Sequence, residues 1–251
     1  MGQKTIPQSL RLDYLKNWNS DWINEKNDYS KLLYFDCTLR EYITKICKRD
    51  DLNLSKINIK KNNQHIEIYL SFYKNNLNKD LIMELQKNVD VYLSYLNLPF
   101  SSRIYILNNT IGNLNIKSMF YSNFKSRKKL SRINPSFYSF INTSYVAFYT
   151  QSVELISNYL VKDLKRIPRH RQYLNNINKI LIKQYNIFDN CLGYKLQLKG
   201  RVNGKERSNK IVIKSGKTPL NTLKYNIKYD YKDILTPYGI CSLKIWLFYK
   251  N

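Results

Sequence analysis

The sequence is poor in small residues and in the residues that carry out most enzyme chemistry. It holds a single alanine, Ala147, together with only 7 glycines and 2 histidines. Neither a glycine-rich phosphate-binding motif nor a nucleophile motif of the G-x-S-x-G type occurs in it. Because two histidines and few carboxylates offer little for acid–base catalysis, we expect neither an enzyme nor a bound cofactor.

Cysteine is scarce and scattered. The 4 cysteines, Cys37, Cys47, Cys191 and Cys241, form no C-x-x-C pair, and a structural zinc site needs clustered ligands, so we expect no metal. Scattered thiols fit a cytosol-like or organelle-matrix compartment better than secretion. A long apolar run is also lacking, and we therefore expect no membrane-spanning helix.

Positive charge is what the sequence has in excess. It contains 42 Lys and Arg against 18 Asp and Glu, so its formal net charge is +24. Such a charge attracts polyanions and indicates a nucleic-acid partner. The hydrophobic fraction of 43% is high enough to build a core, which argues against a wholly disordered basic tail.

The excess of lysine has a second origin, in the gene. The sequence contains 31 Lys, 31 Asn, 27 Ile and 22 Tyr, which use AT-rich codons, whereas alanine, glycine and proline use GC-rich ones. We infer an AT-rich gene, as in organelle genomes and some parasite nuclei. This bias raises the lysine content independently of binding and weakens the charge argument.

The first half of the chain predicts a small α+β domain. Apolar residues recur at helical spacing after Thr38, which forms a possible capping box with Glu41. Apolar and polar residues then alternate on both sides of a polar turn, and this pattern predicts a hairpin. The predicted elements are a helix at 38–48, strands at 56–60 and 66–72, a helix at 79–95 and a strand at 103–107.

The stretch from 108 to 146 is the least regular part of the sequence. Its basic residues, Lys128 and Lys129 among them, are interleaved with aromatic ones. Basic and aromatic side chains together bind RNA by phosphate pairing and base stacking. The alternative interpretation is a loop whose aromatic residues pack on the neighbouring domain.

A cluster of cations lies between two predicted helices, which span 153–164 and about 173–185. Pro168 marks the break between them, and His170 adds to the charge only if it is protonated. By itself such a run is typical of a solvated face. The cluster consists of Lys165, Arg166, Arg169 and Arg171.

The C-terminal third predicts four strands, because alternation appears in 194–202, 211–213, 223–229 and 240–248. With the two preceding helices, this indicates an α+β sandwich in which the helices cover one face of a four-stranded sheet. Basic side chains recur at the strand ends; they are Lys199, Arg201, Lys205, Arg207, Lys210, Lys214 and Lys217.

Motifs at both ends of the chain resemble the bacterial-type small-subunit ribosomal protein three family. At the N-terminus the matches are Met1 to Lys4, Pro7, Arg11-Leu12 and Trp18-Asn19-Ser20-x-Trp22. At the C-terminus they are Gly200-Arg201-x-x-Gly204-x-Glu206, Gly216-x-x-Pro219-Leu220-x-Thr222-Leu223, Tyr238-Gly239 and Lys244-Ile245-Trp246-Leu247-Phe248. The match at Met1 also implies a native N-terminus without an added presequence.

The resemblance implies an α+β fold with a degenerate KH-type domain followed by a ribosomal α+β sandwich. The KH-type domain departs from its family, since 73–78 holds no Gly-x-x-Gly loop to grip an RNA backbone. We divide the chain into a basic arm (1–22), a KH-like domain (23–107), an insertion (108–146) and a C-terminal domain (147–251).

The resemblance also implies a structural role in the ribosome. The expected partners are small-subunit rRNA in the head, messenger RNA, and ribosomal proteins ten and fourteen of the small subunit. In the family, the segment that matches Arg166, Arg169 and Arg171 faces incoming message and is associated with opening its duplexes. Leu174 stands where the family has a further basic residue.

We therefore predict an organellar ribosomal protein, mitochondrial with a plastid as the alternative. A free-standing organellar RNA-binding or chaperone protein is the competing function, and an RNA-modifying enzyme is disfavoured by the missing catalytic residues. The predicted rRNA-binding residues are Gln3, Lys4, Arg11, Lys16, Trp18, Lys128, Lys129, Lys199, Arg201, Lys205, Arg207 and Lys217.

Overall fold

The computed structural model describes residues 5–13, 18–23, 29–50, 52–61, 65–73, 79–95, 101–108 and 135–250, with the backbone alone at 79–82, 101–104, 106–108 and 135–138. The chain forms two compact units. The N-terminal unit is Asn17–Thr110, and the C-terminal unit combines Met1–Lys16 with Ile111–Asn251. The described helices and strands are a mixture of α and β in both units, which confirms the α+β prediction.

The N-terminal unit follows the predicted order of helix, strand, strand, helix, strand. Its elements are β1 (Ser20–Asp21), α1 (Tyr29–Arg49), β2 (Asn53–Lys61), β3 (His65–Tyr73), α2 (Lys79–Tyr95) and β4 (Ser101–Asn108). The sheet has the order β1-β2-β3-β4. The hairpin β2–β3 is antiparallel, whereas β1 and β4 run parallel to their neighbours.

Alternation places the core of this unit on one face of the sheet. Ile57 and Ile59 of β2 stand opposite Leu70 and Ile68 of β3, and all are almost fully buried. The stripes of α1 and α2 pack against them, with Leu39, Ile43, Ile46, Leu85, Val89 and Leu93 buried.

Helix α1 begins nine residues before the prediction, at Tyr29. Thr38 therefore lies inside the helix, where its Oγ1 donates a hydrogen bond to the Phe35 carbonyl, and the predicted capping box with Glu41 is wrong. The first turns were missed because Tyr29, Leu33 and Tyr34 are exposed and do not continue the buried stripe.

The C-terminal unit holds three helices and four strands among its described residues. They are α3 (Pro135–Tyr149), α4 (Val153–Arg166), α5 (His170–Tyr185), β5 (Cys191–Gly200), β6 (Asn209–Gly216), β7 (Asn226–Thr236) and β8 (Gly239–Tyr249). Short 3₁₀ turns occupy Ser9–Arg11 and Val202–Gly204. The sheet is antiparallel in the order β6-β5-β8-β7.

The helices cover one face of this sheet, as predicted. Helix α4 packs on β7 and β8, and α5 packs on β5 and β6. Leu196 and Leu198 of β5 and Leu243, Ile245 and Leu247 of β8 are almost fully buried. The third strand differs from the prediction, because β7 spans 226–236 and not 223–229.

The described end of the predicted insertion belongs to the C-terminal core. Helix α3 crosses the predicted domain boundary at 146/147, and its Phe140, Ile141 and Tyr145 are buried. The Gln184 side chain of α5 donates a 2.8 Å hydrogen bond to the Ile141 carbonyl. For this part, the packed interpretation applies; Lys128 and Lys129 lie outside the described residues.

Within the described residues, none of the helices combines the length and the apolar character that crossing a bilayer requires.

Candidate nucleic-acid interface

The basic cluster lies at the junction between α4 and α5. Helix α4 ends at Arg166, where the Ile167 N–H donates a 3.1 Å bond to the Asp163 carbonyl. Helix α5 begins at His170, so Pro168 lies in the connection, as predicted. Lys165, Arg166, Arg169 and Arg171 all have exposed side chains. We call these four residues the junction cluster.

A partly buried hydrogen bond between the two helices holds the junction. The Tyr173 hydroxyl of α5 donates a 2.5 Å hydrogen bond to Asp163 Oδ2 of α4. Burial is the main reason why the pKa of the Asp163 carboxyl is raised, although the Tyr173 bond and nearby Arg166 oppose this shift. The contact ties α5 to the end of α4 and so limits how the cations can move relative to each other.

The turn at 201–204 closes the junction from the side of the sheet. Asn203 adopts a left-handed backbone with φ 57°, and its side-chain oxygen accepts a 3.3 Å bond from the Arg171 N–H at the start of α5. The Asn203 N–H donates in turn to His170 Nδ1 at 3.3 Å. The side chain therefore satisfies a free amide at the helix start from a distant position in the sequence.

The second glycine of the motif Gly200-Arg201-x-x-Gly204 has a structural reason. Its φ is 73°, and a Cβ there would approach the Tyr238 ring to 3.0 Å. A larger residue would be strained by backbone and neighbour alike. The turn that needs Gly204 also holds Asn203, whose side chain caps the helix that carries Arg171.

His170 does not contribute charge to the cluster. It is 2% exposed, and burial lowers the pKa of its imidazole. Because Nδ1 accepts a bond from Asn203, the neutral form fits the site. Leu174, one turn further along α5, is fully buried, so this position faces the core and not the surface.

The predicted rRNA-binding residues after β5 are exposed and partly come together. Arg201, Lys205 and Arg207 lie in the connection from β5 to β6. Arg171 and Lys205 line one groove of about 320 Å³ together with Lys210. Lys199 lies near the C-terminal end of β5. Lys217 directly follows the C-terminal end of β6, so it lies away from the connection between these two strands.

Arg11 has a different place from the one predicted. It is 1% exposed, and its guanidinium donates to the carbonyls of Pro7, Leu220 and Thr222 at 2.9, 2.8 and 2.7 Å. A guanidinium whose donors face three carbonyls is not presented to a phosphate. We therefore remove Arg11 from the RNA-binding set and assign it to anchoring residues 5–12 on the C-terminal unit.

The Trp-Asn-Ser-x-Trp motif anchors the start of the N-terminal unit. Ser20 pairs with Ile59 of β2, and Arg40 of α1 donates to the Asn19 carbonyl at 2.8 Å. Trp22 Nε1 donates to Asp36 at 3.3 Å. Trp18 is 64% exposed and Trp22 is half-buried, so Trp18 offers a ligand the larger surface of the two.

Several predicted residues lie outside the described part of the chain. These are Gln3, Lys4, Lys16, Lys128 and Lys129, together with the loop at 74–78 that lacks the glycine clamp. Among the described residues, no group of three His, Cys, Asp or Glu side chains is placed to hold a metal ion.

Two lysines in the middle of strands were not among the predicted RNA-binding residues. Lys195 of β5 and Lys244 of β8 line a groove of about 730 Å³ between the sheet and residues 5–11. The missed signal is the alternation of Lys195, Gln197 and Lys199 with buried Leu196 and Leu198, which puts the polar residues on the face away from the helices.

The chain is similar to proteins of the small ribosomal subunit along nearly its whole length. Residues 165–247 match the family model described as ribosomal protein S3, C-terminal domain. The chain is 28% identical over 250 residues to small ribosomal subunit protein uS3 of Borreliella burgdorferi (strain ZS7), covering 99% of this chain and 70% of that protein. The protein of the same name from Borrelia duttonii (strain Ly) is 27% identical over 249 residues, covering 99% and 75%.

Proposed function

The chain belongs to the ribosomal protein S3 family of the small ribosomal subunit, and on this premise we propose the parts that its surfaces take. The family is structural and non-enzymatic, and ribosomal RNA and other ribosomal proteins are the partners that it implies. Beyond this, we propose that the chain binds small-subunit rRNA in the head and lines the channel through which messenger RNA enters.

One observation carries the proposal for messenger RNA: the junction cluster presents four exposed cations at a single helix junction that hydrogen bonds hold in place. Arg166 ends α4 and Arg171 is capped by Asn203, so neither side chain depends on a long flexible loop for its position. Contacts to phosphates do not depend on sequence, which suits a channel that every message must pass.

The experiment replaces Arg166, Arg169 and Arg171 together by alanine in the assembled ribosome. We expect near-normal amounts of small subunits but slower translation of messages with stable hairpins downstream. Replacing Lys179 and Lys183, exposed on the far part of α5, by alanine is the matched control and leaves both unchanged. Loss of assembled subunits in the triple variant would instead make the cluster an anchor for rRNA.

The N-terminal unit supports a KH-type assignment through its element order, helix, strand, strand, helix, strand. We propose that it keeps this scaffold without the glycine clamp, so it contributes position more than backbone binding. Asn75, Asn76 and Leu77 would then tolerate uncharged substitutions with little change in rRNA affinity. Ribosomal proteins ten and fourteen are the proposed neighbours, and crosslinking within purified small subunits tests both contacts.

The organellar part of the proposal depends on the AT-rich composition of the sequence. We place the protein in the mitochondrial ribosome; location of its gene tests this, and a plastid genome would overturn it. Sedimentation tests the ribosomal role itself. The protein should migrate with small-subunit particles at moderate salt, whereas a free RNA-binding or chaperone protein would not.

A further inference from the structure

The sheet of the C-terminal unit has a second face, away from the helices, that is rich in lysine. Register places the side chains of Lys195, Trp246 and Lys214 in one row across the strands. Another row contains Lys199 and Lys210, and Lys244 stands opposite Gln197. We call Lys195, Lys199, Lys210, Lys214 and Lys244 the lysine face.

The pairing on this face is electrostatically unfavourable. Lys195 is directly opposite Lys214, and Lys199 is directly opposite Lys210. Like charges at such positions destabilise a sheet. Asp233 is the single acidic residue among the strand residues of this face, and it accepts a 2.6 Å bond from the Tyr231 hydroxyl. A bound polyanion would offset the repulsion within these pairs by attracting both lysines.

Codon bias does not explain this arrangement. The N-terminal sheet comes from the same lysine-rich sequence, yet there Lys60 stands opposite Glu67 in the register. Glu67 in turn is in register with Arg103 on its other side. A bias in the gene raises the number of lysines everywhere, but it does not select which residues face each other across strands.

Aromatic residues accompany the lysines. Tyr231 lies on β7, the outer strand of the sheet, and its side chain is 44% exposed. Lys244 Nζ is 5.5 Å from the centroid of its ring. Lys244 also lines the groove of about 730 Å³ between the lysine face and residues 5–11. Four-stranded sheets with aromatic residues on an open face stack the bases of single-stranded RNA in a common RNA-binding module.

We propose that the lysine face binds a single-stranded segment of RNA, with phosphates on the lysine rows and a base against Tyr231. This rests on the proposed function, that the chain is an RNA-binding ribosomal component, and it names the surface that does the binding. Charge complementarity selects the partner, because a face with five lysines and one acid attracts a polyanion and repels a basic protein.

The first experiment measures affinity of the purified full chain for a short oligouridylate as a function of KCl. The variant carries Lys199→Gln and Lys210→Gln, and the control carries Lys179→Gln and Lys183→Gln, on a helix of the other layer. Each lost contact to a single strand lowers the magnitude of the log–log slope by about 0.7, so the variant should lose about 1.4 and the control nothing.

The second experiment separates stacking from charge. Replacing Tyr231 by leucine should weaken oligouridylate binding about five-fold or more, since a stacked base is lost. The salt slope should stay as in the unchanged chain. Tyr231→Phe keeps the ring and loses only the bond to Asp233, so it should bind like the unchanged chain.

The outcomes distinguish the two proposals. If the unchanged chain binds RNA and migrates with small subunits but the lysine variant binds equally well, the inference fails and the proposed function stands. If that variant binds RNA normally but no longer enters small subunits, the face contacts a protein. A chain that binds no RNA would overturn both. Thermal unfolding of the variant at or above the temperature of the unchanged chain excludes loss of fold as the cause.

Discussion

The two units contain similar sheets whose outer faces carry different charge patterns. Each has a four-stranded sheet with one face packed on helices. On the outer face of the N-terminal sheet, Lys60 pairs in register with Glu67, and Tyr69 stacks on Tyr105 with ring centroids 4.8 Å apart. The lysine face of the C-terminal sheet instead places lysine opposite lysine. The opposite-charge pair stabilises its own sheet, whereas the like-charge pairs destabilise theirs unless an anion is bound.

In each unit an arginine also anchors the segment that precedes the first helix or strand. The two arginines differ in whether their positive charge has an acidic partner. Arg40 has a carboxylate partner, Asp36, at 2.8 Å, and its side chain is 26% exposed. Arg11 is 1% exposed, and the hydrogen bonds found for its guanidinium go to carbonyl oxygens. Among the described residues, Arg11 thus holds its segment through carbonyls and leaves its positive charge within the C-terminal unit.

The largest expected effect is at Arg11. Replacing it by methionine leaves the carbonyls of Leu220 and Thr222, whose bonds to Arg11 are partly buried, without these donors, and such a loss is costly. The free energy of unfolding of the C-terminal unit should fall by about 2–4 kcal/mol. Denaturant titration measures this, with exposed Arg207→Met as the control. A change below that of the control would mean that residues 5–12 are not anchored as described.

A smaller loss is expected at Arg40. Its replacement by methionine removes donors to the Asn19 and Ile57 carbonyls, but water reaches this site. We expect a loss of about 1–2 kcal/mol, confined to the N-terminal unit. Hydrogen exchange should show the change at the amide of Ile59, which donates to Asn19 at 3.0 Å. Equal losses at Arg11 and Arg40 would remove the difference between the two anchors.

Charge reversal on the two sheets should have opposite signs. Lys210→Glu gives Lys199 an opposite charge across the strands and should raise stability by a few tenths of a kcal/mol. Glu67→Lys faces Lys60 with a like charge and should lower stability by a similar amount. Thermal unfolding at low and high salt measures both. Two changes of the same sign would contradict the contrast between the faces.

The smallest effect concerns His170. Its imidazole has a lowered pKa because it is buried in the folded state, so the unfolded chain binds the proton more readily. Stability should therefore be unaffected well above the unfolded pKa of about 6.5 and should fall as the pH drops below it. His170→Asn keeps an acceptor for the Asn203 N–H and should flatten this dependence. Comparing the unfolding of both proteins between neutral and mildly acidic pH tests the prediction.

Much of the architecture followed from local patterns. The strands β2 and β3, the bounds of α2 and the break at Pro168 are set by apolar periodicity and by a residue that lacks an amide hydrogen. The family followed from short motifs at the two ends. The start of α1 could not be predicted, because its first turns are exposed and do not continue the apolar stripe. Helix α3 could not be predicted either, because its aromatic residues do not form a stripe on one side.

The sequence by itself determined the charge, the alternation of its strands and the position of the cations between two helices, since these depend on residue identity and spacing along the chain. Tertiary structure alone decided which of those residues are accessible. Arg11 is basic in the sequence, but it is buried and donates to carbonyls more than two hundred residues away. Burial also lowers the pKa of His170, which favours its neutral form. The lysine face exists only because strands distant in the chain pair in one register, which brings together like charges that no local pattern records.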